Sequence, residues 1–180
     1  MRAHRETCMK RHAGIPEGMI RSAEEGDADA LAEIYNHYVT STVVTFEEEA
    51  VAAEDMAQRL RDVCARDLPY LVLAEEDAIV GYAYAGPWKT RSAYRHTVES
   101  SVYLRADRTG EGLGGQLYRA LILACTERSL HCMIGGIALP NDASVRLHES
   151  LGFRHIGRFE EVGKKLGRWI DVGYWQLVLR

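Results

Sequence analysis

The chain has 180 residues, of which 47% are hydrophobic and 27% are charged, and its formal net charge at pH 7 is −4. This length and composition predict one soluble domain with a full hydrophobic core. The acidic balance excludes a general electrostatic attraction to nucleic acid or to an anionic membrane, and no apolar run approaches the length that crosses a bilayer. We therefore expect no nucleic-acid or membrane partner, and an anionic ligand has to be bound locally.

The N-terminal residues and the cysteines indicate the compartment. Residues 1–18 are basic and lack a hydrophobic segment, which predicts a flexible leader without a secretory signal, followed by a single domain over 19–180. The four cysteines, which form no CxxC pair, are Cys8, Cys64, Cys125 and Cys132. We expect them to be reduced and buried, in a cytoplasmic protein without a metal site.

Hydrophobic spacing predicts a strand, two helices and a hairpin in the first half of the domain. In chain order these are a strand over Met19–Arg21, a helix that begins at Asp27 or Asp29, a helix over about Glu54–Arg66, and strands over Tyr70–Ala74 and Ile79–Ala85. An acidic turn that ends in Asp77 joins the last two strands.

The second half alternates strands with helices before it ends in two strands. In chain order we expect a strand over His96–Leu104, a helix over Gln116–Arg128, a strand over Cys132–Leu139, a helix from the N-cap Asn141 to Leu151, and strands over Phe153–Val162 and Trp169–Leu179. Gly152 is placed to end the last helix. The order βααβββαβαββ predicts an α/β (α+β) fold, with a mixed sheet and helices on both faces.

The most informative stretch is the glycine loop Arg108–Gly115, Arg-Thr-Gly-Glu-Gly-Leu-Gly-Gly, between a strand and a helix. Its glycines leave backbone N–H groups unshielded where the helix begins, an arrangement that binds a pyrophosphate. No Gly-Lys-Ser/Thr follows, which excludes a P-loop, and the loop does not follow a first strand, which argues against a Rossmann fingerprint. The glycines alone are also typical of a flexible turn, so the surrounding residues decide between the two interpretations.

Five further motifs accompany this loop: Gly81–Lys89, Ala93-Tyr94, Thr97–Tyr103, Leu139–Glu149 and Trp169–Trp175. With the element order, they give the chain a resemblance to the GCN5-related N-acetyltransferase (GNAT) superfamily and, within it, to the phosphinothricin N-acetyltransferase family. The resemblance covers about Ile20–Leu179. One departure is Thr109, where the superfamily usually has Arg or Gln, and this puts one contact to coenzyme A in doubt.

The resemblance implies a mostly antiparallel GNAT-type sheet, acetyl-CoA as co-substrate, no metal, and a homodimer. It implies direct acetyl transfer to the α-amine of phosphinothricin, methionine sulfoximine or methionine sulfone, which would detoxify a herbicide or antibiotic. The residues that it assigns to acetyl-CoA are Val102, Tyr103, Leu104, Gly110, Glu111, Gly112, Leu113, Gly114, Gly115 and Asn141. Asn141 has an equally good structural role as a helix N-cap.

Two residues are candidates for proton transfer. Glu99 lies in the middle of a strand, an unfavourable place for a carboxylate, which indicates either a solvated face or a cleft. Within the resembling motif it becomes the general base, with a pKa raised by partial burial. His148 shares a helix face with Ser144, and the resemblance makes it a second acid/base group, although a lone helical His is usually a packed or surface residue.

A basic loop precedes the Glu99 strand and predicts recognition of an anionic substrate. The expected substrate-binding residues are Lys89, Arg91, Ser92, Ala93 and Tyr94, with Arg95 in the same cluster. Arg91 is the strongest candidate because a guanidinium can bind a carboxylate or phosphinate through two hydrogen bonds. The large aromatic residues Trp88, Trp169 and Trp175 are better explained by packing and a subunit interface than by chemistry.

Two other functions remain open from the sequence. An acetyltransferase of the same fold could act on another amine, such as an ordinary amino acid, a peptide N-terminus or an aminoglycoside. The basic loop argues against an aminoglycoside, which needs an acidic pocket. A non-catalytic acyl-CoA-binding regulator is the third alternative, and the presence of Glu99 argues against it.

Overall fold

The computed structural model describes residues 18–76 and 78–180. The expected leader, apart from Gly18, therefore lies outside the described residues, as do Cys8 and the turn residue Asp77. None of the helices in the described ranges is long and apolar enough to cross a membrane.

The predicted order of strands and helices is confirmed, with three short 3-10 turns added at 25–27, 92–94 and 106–108. The elements are β1 (Met19–Ser22), α1 (Ala28–Ser41), α2 (Ala53–Cys64), β2 (Tyr70–Glu75), β3 (Ala78–Pro87), β4 (Thr97–Leu104), α3 (Leu113–Glu127), β5 (Cys132–Leu139), α4 (Asp142–Ser150), β6 (Arg154–Lys165) and β7 (Arg168–Val178). The Asn141 side chain accepts a hydrogen bond from Ser144 N at 3.1 Å, and Gly152 adopts φ +89°, so both predicted ends of α4 are confirmed.

One boundary differs in a way that matters for the site. The third helix begins at Leu113 and not at Gln116, because Gly112 takes the left-handed conformation, φ +82°, and acts as its N-cap. Gly114 and Gly115 therefore lie in the first helical turn. The sequence favoured a later start because glycines are poor residues for a helix interior.

The seven strands form one sheet in the order β1-β2-β3-β4-β5-β7-β6. Every neighbouring pair is antiparallel except β4 and β5, which are parallel. The parallel pairing ends after three residue pairs, the last of which joins Glu99 to Ile134. Beyond it, residues 100–104 of β4 and 135–139 of β5 are not paired with each other, although each strand stays paired with its other neighbour. We call the gap between these two segments the fork.

Helices cover both faces of the sheet, as predicted. A cluster that includes Leu31, Leu60 and Tyr82 fills the face under α1 and α2. A second cluster, which includes Leu117 and Met133, fills the face under α3 and α4. Each face thus has its own core, and the strands that border the fork are buried between them.

The cysteines only partly match the expectation of buried thiols. Cys125 and Cys132 are buried, but Cys64 is exposed. It follows Val63, the last inward-facing residue of α2, and so it points away from the core. The three are free thiols.

Replacing Gly81 by Ala should destabilise the fold. An added β-carbon would lie 2.4 Å from Leu104 Cδ2 and 2.9 Å from the backbone oxygen of Tyr103, so β4 would have to move. Overpacking of this kind costs about 1–3 kcal/mol. Urea unfolding should show a lower midpoint for Gly81→Ala, whereas Gly157→Ala, where nothing lies within 4 Å, should change little. An unchanged midpoint for Gly81→Ala would contradict this close packing.

Candidate active site

The backbone of β4 presents hydrogen-bonding groups to the fork. Arg105 N donates to Val80 O at 2.9 Å and Trp88 N donates to Thr97 O at 3.4 Å, so the odd-numbered residues of β4 bond to β3. The even-numbered Val102 and Leu104 therefore turn their N–H and C=O groups toward the fork, where the strand pairing has ended.

The three β4 residues predicted to bind the co-substrate differ in whether their backbone groups face the fork. Leu104 O already accepts a hydrogen bond from the Tyr38 hydroxyl at 2.6 Å, which leaves its N–H and both groups of Val102 facing the fork. The backbone of Tyr103 bonds to β3, and its ring packs edge-on against Tyr35 at 5.1 Å. The structure thus brings Val102 and Leu104 to the fork, but not the backbone of Tyr103.

The glycine loop lies beside the open end of the fork. Gly110 and Gly112 both have φ +82° and nothing within 4 Å of an added β-carbon, so the surface of the loop is open. The first helical bond of α3 runs from Gln116 N to Gly112 O at 3.2 Å, which leaves the N–H groups of residues 113–115 free of helical partners. These amides at a helix N-terminus suit an anion such as a pyrophosphate.

Packing joins the loop to the fork. An added β-carbon on Gly114 would lie 3.5 Å from Leu147 Cδ2 and 3.6 Å from Leu104 Cδ1. Gly114 therefore lets α3 approach both α4 and the end of β4. The amides of α3 and the backbone groups of β4 consequently lie side by side, an arrangement that suits an extended anion.

The loop's charged side chains bond to one another. Arg108 donates to Glu75 Oε2 at 2.6 Å and to Glu111 Oε2 at 2.9 Å. The hydrogen bonds from Arg108 keep the pKa of Glu111 below its usual range. The Thr109 hydroxyl donates to Ala106 O at 3.2 Å. Thr109 therefore stabilises the preceding turn with its side chain, and does not supply the long hydrogen-bond donor that Arg or Gln would place there.

Glu99 lies at the closed end of the fork, on the face covered by α1 and α2. Its carboxylate is half-buried, and no side chain in the described ranges hydrogen-bonds to it. Burial raises its pKa, and the nearby charge of Lys89 partly offsets that rise. An added β-carbon on Gly136 would lie 3.3 Å from Glu99 Oε1 and 3.4 Å from the ring of Tyr174. A bare glycine thus leaves room beside a carboxylate that can accept a proton.

An aromatic cavity of about 240 Å³ adjoins Glu99 on the β3 side. Gly86, which is paired with Glu99 across the strands, forms part of its wall. Four tyrosines and one arginine also line it: Tyr35, Tyr70, Tyr82, Tyr84 and Arg59. Arg59 donates to both carboxylate oxygens of Glu47, at 2.7 and 3.0 Å, so the cation of this wall is neutralised.

His148 lies on the opposite face of the sheet from Glu99. It is only 4% exposed, and an added β-carbon on Gly135 would come within 2.4 Å of its Nε2. Glu99 lies against the neighbouring Gly136, and successive strand residues face opposite sides. The structure therefore does not bring the two predicted proton-transfer groups together, but places them on either side of the closed end of the fork.

A chain of hydrogen bonds links His148 to β4. Nδ1 lies 2.8 Å from the Ser144 carbonyl and Nε2 lies 3.0 Å from the Tyr118 hydroxyl, which in turn lies 2.5 Å from Ser100 Oγ. A carbonyl only accepts, so Nδ1 carries the proton and Nε2 accepts from Tyr118. Burial lowers the pKa of His148 and favours this neutral form.

The predicted substrate-binding loop forms one wall of a groove beside β4. Lys89 lies near Glu99 and stacks its ammonium 4.7 Å from the ring centre of Trp88. Five residues of this loop line one outer groove of about 630 Å³: Lys89, Arg91, Ser92, Tyr94 and Arg95. Ala93 is exposed in the turn between Ser92 and Tyr94. The structure thus places Lys89 and Arg91 in one groove, and the charge of Lys89 also acts on Glu99.

The sequence did not identify four residues of this site as functional: Ser100, Tyr118, Gly136 and Tyr174. Tyr174 stands 5.7 Å from Trp88 edge-on, and burial with the charge of Glu99 raises its pKa. Tyr118 follows the glycine loop at an apolar helical position, which predicts packing alone. The alternation along β4 predicts that Ser100 lies on the opposite face from Glu99. It does not predict that α3 covers that face.

Known proteins share this architecture. Residues 20–173 match the model of the acetyltransferase (GNAT) domain. A phosphinothricin N-acetyltransferase of Streptomyces coelicolor is 39% identical over 91% of this chain and 97% of its own. An L-methionine sulfoximine/L-methionine sulfone acetyltransferase of Salmonella typhimurium is 40% identical over 89% of this chain and 94% of its own. The structure of a putative acetyltransferase from Salmonella typhimurium with its cofactor acetyl-CoA superposes with a TM-score of 0.89, at 36% identity over 91% and 95% of the two chains.

Proposed function

The chain belongs to the GNAT family of N-acetyltransferases and uses acetyl-CoA as co-substrate, and on this basis we propose that it acetylates the α-amine of phosphinothricin, methionine sulfoximine or methionine sulfone. One observation carries the proposal: a half-buried, unbonded carboxylate, Glu99, lies at the closed end of the fork, and its strand partner Gly86 lines an aromatic cavity. Detoxification of such compounds in the cytoplasm is the biological role that we propose.

The described residues fit the co-substrate. The open glycine loop and the free amides of residues 113–115 suit its pyrophosphate, and the backbone groups of Val102 and Leu104 suit its extended arm. Acetyl-CoA supplies an activated acetyl group and a thiolate leaving group. Asn141 Oδ1 already accepts a hydrogen bond from Ser144 N as the N-cap of α4. The Nδ2 amino group of the side chain is the part that remains for the co-substrate.

Glu99 is the proposed general base. An α-ammonium group cannot attack a thioester until it has lost a proton, and the Glu99 carboxylate accepts that proton directly or through a water molecule. The amine nitrogen then forms a bond to the acetyl carbon while the carbon–sulfur bond breaks. His148 is a positioning residue in this proposal: it holds the Tyr118 hydroxyl and, through it, Ser100 at the closed end of the fork.

The charges around Glu99 support an anionic substrate. Lys89 is close enough to lower the pKa of Glu99, so it can also attract a carboxylate or phosphinate there. Arg91 lines the same groove as Lys89 and would meet a substrate that extends along it. The cavity with neutralised Arg59 suits the less polar part of the side chain. An aminoglycoside would need acidic groups in these positions.

A homodimer is proposed from the surface of β6 and β7. Large apolar side chains are more than half exposed along this hairpin: Ile156, Phe159, Val162, Leu166 and Trp169. Contiguous apolar surface of this kind is typical of a protein interface. The family that the chain resembles forms homodimers, so a second copy of the chain is the proposed partner. Trp175, in contrast, is buried and packs inside its own subunit.

Glu99→Gln should lower kcat about 10²–10⁴-fold, because the side chain keeps its shape but no longer accepts a proton. In the wild type, activity should fall as pH decreases through the raised pKa of Glu99, since the base must be ionised. That acidic limb should disappear in the variant. Calorimetry should give the same affinity for coenzyme A, and Glu127→Gln is the matched control. Near-normal turnover of Glu99→Gln across pH would place the base elsewhere.

Lys89→Gln should raise KM for phosphinothricin more than Arg91→Ala does, because both line the groove but the charge of Lys89 also acts on Glu99. Loss of a charge-assisted contact is worth about 1.5–3 kcal/mol, or about 10- to 100-fold. A neutral amine that lacks both acid groups should be nearly indifferent to either substitution. Equal losses for acidic and neutral amines, measured well above the pKa of Glu99, would contradict recognition of an anion.

Sedimentation at micromolar concentration should give a mass of twice 20.2 kDa. Trp169→Glu should shift the protein toward the monomer, because it places a charge in the proposed interface. Val44→Glu, a change at another exposed apolar residue, should leave the dimer intact. A wild-type mass that matches one chain would rule out the homodimer.

A further inference from the structure

The glycine loop has a cation of its own, but its charge is already neutralised. The Arg108 guanidinium donates to Glu75 at 2.6 and 3.1 Å and to Glu111 at 2.9 and 3.1 Å. Every nitrogen of the guanidinium thus bonds to a carboxylate. Two carboxylates share one cation, so this cluster carries a net negative charge next to the amides of α3. A second cation is needed to offset the charge of a pyrophosphate there.

Arg119 is placed to supply that cation. Its guanidinium lies along the first turn of α3, where Nη1 and Nη2 are each 3.5 Å from the position of an added β-carbon on Gly115. Helical side chains lean toward the N-terminus of their helix, which carries Arg119 back over the free amides. Gly115 provides the space, since a larger side chain would occupy the path of the guanidinium.

Arg119 is exposed, and it makes no hydrogen bond or ion pair with any residue of the described ranges. The other arginine before the loop, Arg105, donates to both carboxylate oxygens of Asp107, at 3.1 and 2.8 Å. Arg128, at the far end of α3, donates to Ala124 O and lies 3.6 Å from Asp67. Of these three arginines, Arg119 is therefore the one whose guanidinium makes no hydrogen bond or ion pair within the described ranges.

We propose that Arg119 binds the pyrophosphate of acetyl-CoA, and that it takes over the role left open by Thr109 and by the neutralised Arg108. A guanidinium can donate two parallel hydrogen bonds to phosphate oxygens, next to the backbone amides of residues 113–115. The inference rests on the acetyl-CoA-dependent activity given above. It concerns binding of the co-substrate, and it makes no demand on the identity of the amine.

The test is calorimetric titration of the full chain with coenzyme A and with dephospho-CoA, which keeps the pyrophosphate but lacks the 3′-phosphate. Arg119→Gln should weaken binding of both ligands by the same factor, about 10- to 100-fold. Arg119→Lys should recover only part of the affinity, because an ammonium lacks the planar geometry. Arg128→Gln makes the same charge change on the same helix and should leave both dissociation constants unchanged.

The outcomes separate the inference from its premise. The melting temperature of Arg119→Gln without ligand should match the wild type, because Arg119 has no partner among the described residues. If wild type and Arg119→Gln bind coenzyme A equally, the inference fails while the acetyl-CoA assignment stands. If the loss occurs with coenzyme A but not with dephospho-CoA, Arg119 contacts the 3′-phosphate and the pyrophosphate assignment is overturned. If the folded wild type binds neither ligand, the co-substrate assignment itself fails.

Discussion

The site depends on the point at which the pairing between β4 and β5 ends, after only three residue pairs. β4 is held by β3 along Val98–Leu104, and β5 is held by β7 along its whole length, but the two strands pair with each other for only three residues. Their outer edges are therefore fixed while their inner edges separate. The fork leaves backbone groups of half-buried strand residues without a strand partner. In the proposed function, an extended ligand with amide groups supplies those partners.

Every other part of the site takes its place from the fork. Alternation along β4 puts Glu99 on one face and Ser100 on the other at its closed end. The glycine loop lies at the open end of the fork. A ligand whose anionic group lies at the amides of α3 can therefore extend into the fork. The acidic protein concentrates its positive groups locally, with Lys89 beside Glu99 and Arg119 beside the amides of α3. Lys89 acts on the Glu99 carboxylate, whereas Arg119 has no carboxylate partner in the described ranges and the neighbouring Arg108 is neutralised by Glu75 and Glu111.

Much of this could be predicted from the sequence. Periodicity gave the order of elements, and Asn141 and Gly152 mark the ends of α4 by local chemistry alone. The sequence predicts too late a start for α3. Gly112, at φ +82°, caps the helix even though the neighbouring Gly114 and Gly115 are poor helix formers. The position of His148 relative to Glu99 depends on which helix covers which face of the sheet. Residue patterns do not contain that tertiary information, and for the same reason they predict only packing for Tyr118.

The fork is tested most directly by amide hydrogen exchange, followed by NMR with and without coenzyme A. The amide of Tyr103 bonds to β3 and should be protected in both states, whereas the amides of Val102 and Leu104 face the fork. Saturating coenzyme A should slow exchange at one or both of these residues and leave Tyr103 unchanged. Binding of coenzyme A without any change at Val102 and Leu104 would contradict the account of the fork as its binding site.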